Sequence, residues 1–167
     1  MTREGALIVT LLGVVVVLLL LVWAWRRRSR RDAGLAAPVG APPDGAAELA
    51  RFGVLYVATT RHDEPLERLA IRHLGFRARG EVTVTDGGVA VDLDGAPRLF
   101  LATARLAAVD QATVAIDRVV ESGGLTRLVW RLDDGTPVDS FFRPQEASAQ
   151  ALATAIRPLV PQTGDDA

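Results

Sequence analysis

Apolar residues are laid out in two different ways along this chain. From Gly5 to Trp25, GALIVTLLGVVVVLLLLVWAW, no residue is charged and Thr10 is the one hydroxyl. A helix over this stretch is ~31 Å long at about 1.5 Å per residue, enough for a hydrocarbon core of about 30 Å. Backbone groups surrounded by lipid have to be satisfied within the segment, so a lone span of this kind is helical. Trp23 and Trp25 fall at its C-terminal end, where indole prefers the interface. From Arg51 onward the apolar residues come instead in short runs broken by Gly, Asp and Pro, which is how strands and turns read.

The flanks orient the apolar stretch. Arg26, Arg27, Arg28, Arg30 and Arg31 follow it, whereas Arg3, offset by Glu4, and the terminal amine precede it. Positive charge stays in the cytoplasm, which predicts an outer N-terminus, a C-terminal part inside the cell, and residence in the plasma membrane. A cleaved signal peptide is the competing reading; its apolar region is shorter and ends in a small-residue cleavage site, and five arginines stand there instead. The same cluster would also attract anionic lipid, at ~1 kcal/mol per arginine near the surface. Gly13 is followed four residues later by Val17, so no glycine-based dimerisation motif is indicated.

Charge and composition narrow the function classes. The whole chain carries −1, but residues 32–167 hold thirteen Arg against nineteen Asp and Glu, a net −6. A nucleic-acid binder would show a basic face, so nucleic acid is not an expected partner. There is no Cys, which removes disulfides, thiolate nucleophiles and Cys-ligated metal.

Residues 32–47, DAGLAAPVGAPPDGAA, lack an apolar period and read as a linker continuing the basic segment 26–47. A strand is expected from Phe52 to about Thr60. Leu66 and Leu69 within 61–75 permit a short helix. Glu81–Thr85 and Val89–Leu93 flank Asp86-Gly87-Gly88 as a hairpin, the first arm starting as early as Phe76. Short strands follow at 98–101, 105–113 and 114–120. Leu125–Leu132 and Pro137–Arg143 form a second hairpin across Asp133-Asp134-Gly135, with Leu128, Trp130 and Leu132 on one face and Arg127, Val129 and Arg131 on the other. Trp130 is thereby expected in the core. Pro144-Gln145-Glu146 opens a helix whose stripe is Ala147, Ala151, Leu152, Ala155 and Ile156, ended by Pro158 and Pro161. The tail 161–167 reads as disordered.

About seven short antiparallel strands followed by one helix imply a bent-sheet barrel with the helix over one open end. This order resembles the pleckstrin-homology (PH)-like fold. Tyr56-Val57-Ala58-Thr59-Thr60, Leu74-Gly75-Phe76-Arg77, Gly87-Gly88-Val89, Leu128-Val129-Trp130 and Phe142-Arg143 are similar to the bacterial PH-like domain that follows one membrane span in small actinobacterial proteins. The resemblance covers residues 48–160 and the anchor at 5–25, behind a short tail at 1–4. No single phrase is a catalytic signature, so the resemblance implies fold and class, not chemistry. One span without repeats or intramembrane ionisable residues offers no transport pathway.

Candidate chemistry is sparse, and the chain does not read as an enzyme; no cofactor or metal is expected. His62-Asp63-Glu64 holds three ligand types, but neighbours in sequence do not converge on one ion, and His73 is eleven residues away. None of Ser29, Ser122, Ser140 and Ser148 sits in a nucleophile elbow. The paired glycines lack the GKS or GKT of a phosphate loop. Arg77 and Arg79 at the start of a strand look like the headgroup-binding pattern of PH domains, with Arg72, Arg68 and Arg61 as neighbours. Against that stand Asp63, Glu64 and Glu67, and the absence of the family's usual Lys on the first strand. The expected function is a membrane-anchored cytoplasmic interaction or scaffold module with an unidentified protein partner and undetermined oligomeric state. The alternatives are a phospholipid-headgroup sensor and a regulatory partner of a neighbouring metabolic enzyme or membrane complex. The resemblance suggests pyrimidine biosynthesis for such a neighbour.

Overall fold

A computed structural model of the chain describes residues 3–31, 34–115, 118–119 and 124–161. They fall into two compact units, Met1–Gly34 and Leu35–Ala167.

The first unit is one helix, α1, Arg3–Arg31. Its Leu, Ala and Arg favour helix, and no proline interrupts it. The window Leu7–Arg27, 21 residues, is long and apolar enough to cross a membrane. Every residue from Leu7 to Arg27 is exposed, an arrangement that water does not reward. Near the C-terminal end the Arg27 guanidinium lies 5.5 Å from the Trp23 ring, the i,i+4 cation–π contact that this spacing permits.

The second unit is mainly β. Its strands are β1 (Glu48–Arg61), β2 (Glu64–Arg68), β3 (Ala78–Thr85), β4 (Gly88–Leu93), β5 (Leu99–Ala102), β6 (Leu106–Ala112), β7 (Val114–Ala115), β8 (Arg118–Val119), β9 (Leu125–Arg131) and β10 (Pro137–Pro144); α2, Ala149–Ile156, closes the order. An eight-stranded antiparallel sheet runs β5-β4-β3-β1-β10-β9-β6, with β2 added to β1, and it is not closed into a barrel. The long strand β1 makes the bend. Its first part pairs with β3, Phe52 facing Val82, and its last part with β10, Thr60 facing Asp139. Val54 to Tyr56 pair with both, and a bulge between Tyr56 and Ala58 then shifts the β1–β10 register and adds local twist.

Alternation sorts the side chains into two faces. Val54, Tyr56, Val82, Val84, Val89, Val91, Leu128, Trp130, Val138 and Phe142 form the main core, with Leu152 and Ile156 of α2 upon it. Val57, Ala58, Leu125 and Phe141 form a smaller cluster from the opposite set of residues. Close approach dictates glycine at Gly80, where a Cβ would lie 2.0 Å from the Asp92 carbonyl oxygen.

Four expectations change. The stretch 61–75 holds a strand rather than a helix: after a turn at Asp63, with φ of 58°, β2 returns against β1. Leu69 is buried and Leu66 is 71% exposed, so their shared spacing marks no helical stripe. The segment read as linker is docked from Leu35 on. Pro38 C=O accepts from the Phe100 N–H, the Gly40 N–H donates to Arg98 C=O, both at 3.0 Å, and Val39 bridges Leu99. The edge of β5 needed hydrogen-bond partners, and this extended Pro-rich segment supplies them. The last helix starts later than Pro144, which ends β10; Ser148 caps it by accepting from the Ala151 N–H. Its buried residues are Ala149, Leu152, Ala153 and Ile156, a stripe shifted from the expected one. The strand expected at 114–120 is the short hairpin β7–β8, partly outside the described residues, as is the tail beyond 161.

Candidate functional site

The densest polar arrangement lies where β1 turns into β2. Asp139 on β10 is 1% exposed. A buried carboxylate must be paired, and this one is met from three directions. His62 Nδ1 is 2.7 Å from Oδ1, the Asp63 N–H donates to Oδ2 at 3.2 Å, and Arg127 Nη1 donates to Oδ2 at 3.4 Å. Arg127 then reaches Asp110 on β6 with two bonds, Nε to Oδ1 at 2.9 Å and Nη2 to Oδ2 at 2.6 Å, and Asp63 Oδ1 at 3.3 Å. The bidentate fork to Asp110 is the strong member, and with it the guanidinium holds its proton more firmly than in water.

The fold assembles this cluster by register. Arg127 faces Phe141 on β10 and Asp110 on β6, while Asp139 faces Thr60 and Val129. The polar row therefore continues the smaller apolar cluster on the same side of the sheet. His62, Asp63 and Asp139 bring one ligand atom each within 4.8 Å of one another, a grouping that can hold a metal ion. Arg127 already contacts both carboxylates, so a cation entering there has to displace a guanidinium. The geometry is that of an ion-pair network fastening the β1–β2 turn to the sheet.

The sequence names His62 and Asp63 but argues against a common site because neighbours do not converge on one ion and His73 is eleven residues away; Asp139, distant in sequence, joins them. The usable signal was an acid inside Pro137–Arg143, a run otherwise rich in strand formers, since a buried acid calls for an Arg such as Arg127. Trp130, expected in the core, is 1% exposed there. Its Nε1–H donates to Ser140 Oγ at 2.9 Å, Ser140 and Thr59 hydroxyls meet at 2.7 Å, and Tyr56 OH lies 2.9 Å from Thr59 Oγ1 and 2.8 Å from Leu74 O. The Leu74 carbonyl can only accept, so it takes the phenolic proton, and Thr59 donates to Tyr56. Burial raises the ionisation of Tyr56 well above its ordinary range.

The arginines singled out from sequence are distributed differently. Arg61 pairs with Glu67 at 3.3 Å. Arg68 is half-buried, with Nη2 on Val57 O at 3.3 Å. Arg72, Arg77 and Arg79 are exposed, and Arg77 precedes β3 rather than lying on it. Phe76, between them in sequence, is 85% exposed. On the other side of the domain's charge balance, Arg51 bonds Glu48 and Glu81, Arg98 bonds Asp92, and Arg105 bonds Asp133.

A bent, open antiparallel sheet with a single C-terminal helix packed on its core face defines a PH-like domain. The family model described as "Bacterial PH domain-like" matches residues 34–157, and the chain belongs to that family. The match begins where the chain docks onto β5, not at the first strand. A search of curated proteins finds no significant match.

Proposed function

We propose that this is a single-pass membrane protein whose PH-like domain lies in the cytoplasm and serves as a protein-interaction module. The observation that carries the anchor is the exposed 21-residue apolar window of α1, followed at once by Arg28, Arg30 and Arg31. The second compact unit starts at Leu35. The interaction role is supported by the family and by the way Arg51, Arg61, Arg98, Arg105 and Arg127 are each engaged by acids, which leaves a net-negative domain little general attraction to anionic surfaces. A reporter active only in the cytoplasm, fused after Ala167, is expected to be active; an exported reporter would refute the orientation. Neutralising all five juxtamembrane arginines should scramble it.

A second reading, headgroup sensing, is favoured by Arg72, Arg77 and Arg79, which are exposed and have no carboxylate partner among the described residues. On the interaction reading, residues 34–161 do not sediment with anionic vesicles at physiological salt. Salt-sensitive sedimentation that disappears with Arg77→Glu and Arg79→Glu together would reverse the order of the two readings.

A further inference from the structure

The segment along the β5 edge is built unlike the strands it joins. Residues 35–40 run antiparallel to β5, with Val39 opposite Leu99, the Phe100 N–H on Pro38 C=O and the Gly40 N–H on Arg98 C=O. Hydrogen-bonded residues of an antiparallel pair exchange bonds in both directions. Pro38 cannot, because it has no N–H to return to the Phe100 carbonyl. The segment's apolar hold is slight as well. Ala37, 8% exposed, and a half-buried Leu35 rest on the main core, whereas Val39 is 59% exposed.

Downstream the chain is fastened by other means. The Ala46 N–H donates to Pro43 C=O at 3.0 Å. The Ala47 N–H donates to Asp86 Oδ1, and the Asp86 N–H donates back to Ala47 C=O, both at 3.1 Å. None of these bonds uses residues 35–40, so the segment can leave β5 without pulling on the entry to β1.

We propose that residues 35–40 are an autoinhibitory strap. It is a self-strand that holds β5 weakly, leaves it while the sheet stays folded, and yields the edge to an extended segment of a partner protein. The partner rests on the interaction reading above; the opening of the strap does not. A segment with an ordinary residue where the strap has Pro38 supplies the missing bond to Phe100 C=O, so main-chain pairing favours it over the strap. Between such encounters a Pro-bearing cover keeps the edge from pairing with other sheets.

Phe100 and Leu101 are neighbours on one strand, and their N–H groups point to opposite sides, the first to the strap and the second to β4. Amide-resolved hydrogen exchange on the full-length protein in phosphocholine micelles should show Phe100 exchanging at least ~100-fold faster than Leu101. Equal rates would mean that the strap leaves only when the sheet unfolds, and would overturn the proposal. Ala37→Glu puts a charge on the buried side of the strap, and Ala36→Glu puts the same charge on its exposed side. The first should speed Phe100 by a further ~10-fold or more, with Leu101 and the emission of buried Trp130 unchanged; the second should alter none of the three. Lost protection at Leu101 or altered Trp130 emission in Ala37→Glu would make the segment an integral strand and sink the strap. A synthetic peptide of residues 34–41 carrying Pro38→Val, in large excess, should restore protection at Phe100 in the Ala37→Glu protein, and the same peptide with Pro38 should do so less well. Restoration by neither peptide, or equally by both, would refute the yielding of the edge. No arm uses a natural partner or a side of the membrane, so failure here leaves the interaction reading standing. Salt-sensitive vesicle binding, in turn, would demote that reading without touching the exchange result.

Discussion

The two faces of the β1–β10–β9 region bury polar groups with opposite chemistry. On one, Trp130, Ser140, Thr59 and Tyr56 form a neutral hydrogen-bonded chain inside the main core. On the other, Asp139 at 1% exposure is held by His62, Arg127 and the Asp63 backbone. The first depends on shape, because large apolar groups surround each hydroxyl. The second depends on completeness, since removing one charge strands another. Burial alone thus says little about what a substitution costs; the partner left behind decides it.

Breaking the neutral face should have the largest effect. Trp130→Ala removes the largest fully buried side chain and leaves Ser140 without its donor, for a loss of ~3–5 kcal/mol in a cooperative thermal or urea melt. A wild-type-like midpoint would move Trp130 to the surface. The ionic face should come next. Asp139→Ala leaves Arg127 and His62 facing an apolar hole; because both are partly exposed, about 2–3 kcal/mol is expected, below the full value for a buried pair. Replacing both partners, Asp139→Leu with Arg127→Met, should cost less than Asp139→Ala alone, and a strictly additive double variant would show that the two do not act as a pair. A finer probe of the neutral chain is Thr59→Val, which keeps the shape and removes one hydroxyl, at about 1–2 kcal/mol. The smallest effect belongs outside both faces. Arg51→Ala breaks the exposed contacts to Glu48 and Glu81 and should barely move the melting midpoint, since solvent screens such pairs. Glu48 ionises below the ordinary carboxylate range because of its hydrogen bonds to Arg51. Any such contribution is therefore present at neutral pH and is lost as the pH falls through that lowered value, and the Arg51→Ala variant should lack this acid dependence.

Much of this molecule was decided by local pattern. The apolar helix over Gly5 to Trp25 depends only on uninterrupted apolar character, and the hairpins at 86–88 and 133–135 depend on Gly and Asp beside strand-forming runs. Trp130 was placed by alternation with Leu128 and Leu132. The order of strands before a helix, and phrases such as Leu128-Val129-Trp130, carried the resemblance to the PH-like class. Contacts between distant positions were not available to such reasoning. Leu66 and Leu69 looked like a helical face because spacing cannot register that β1 offers them an edge. Residues 35–40 looked like a tether because Pro and Gly hide an extended segment whose hydrogen bonds lie at 98–100. The last helix was placed too early because Pro144 suits a helix start as well as a strand end, and the cap at Ser148 settled which. The cluster around Asp139 draws on residues 62, 63, 110, 127 and 139, which only the pairing of β1, β10, β9 and β6 brings together. Periodicity and composition act within a few residues of chain, so the sequence alone determined the elements and the fold class. Register and edge pairing act between strands, so only the tertiary structure decided which charges are buried together and which segments meet at an edge.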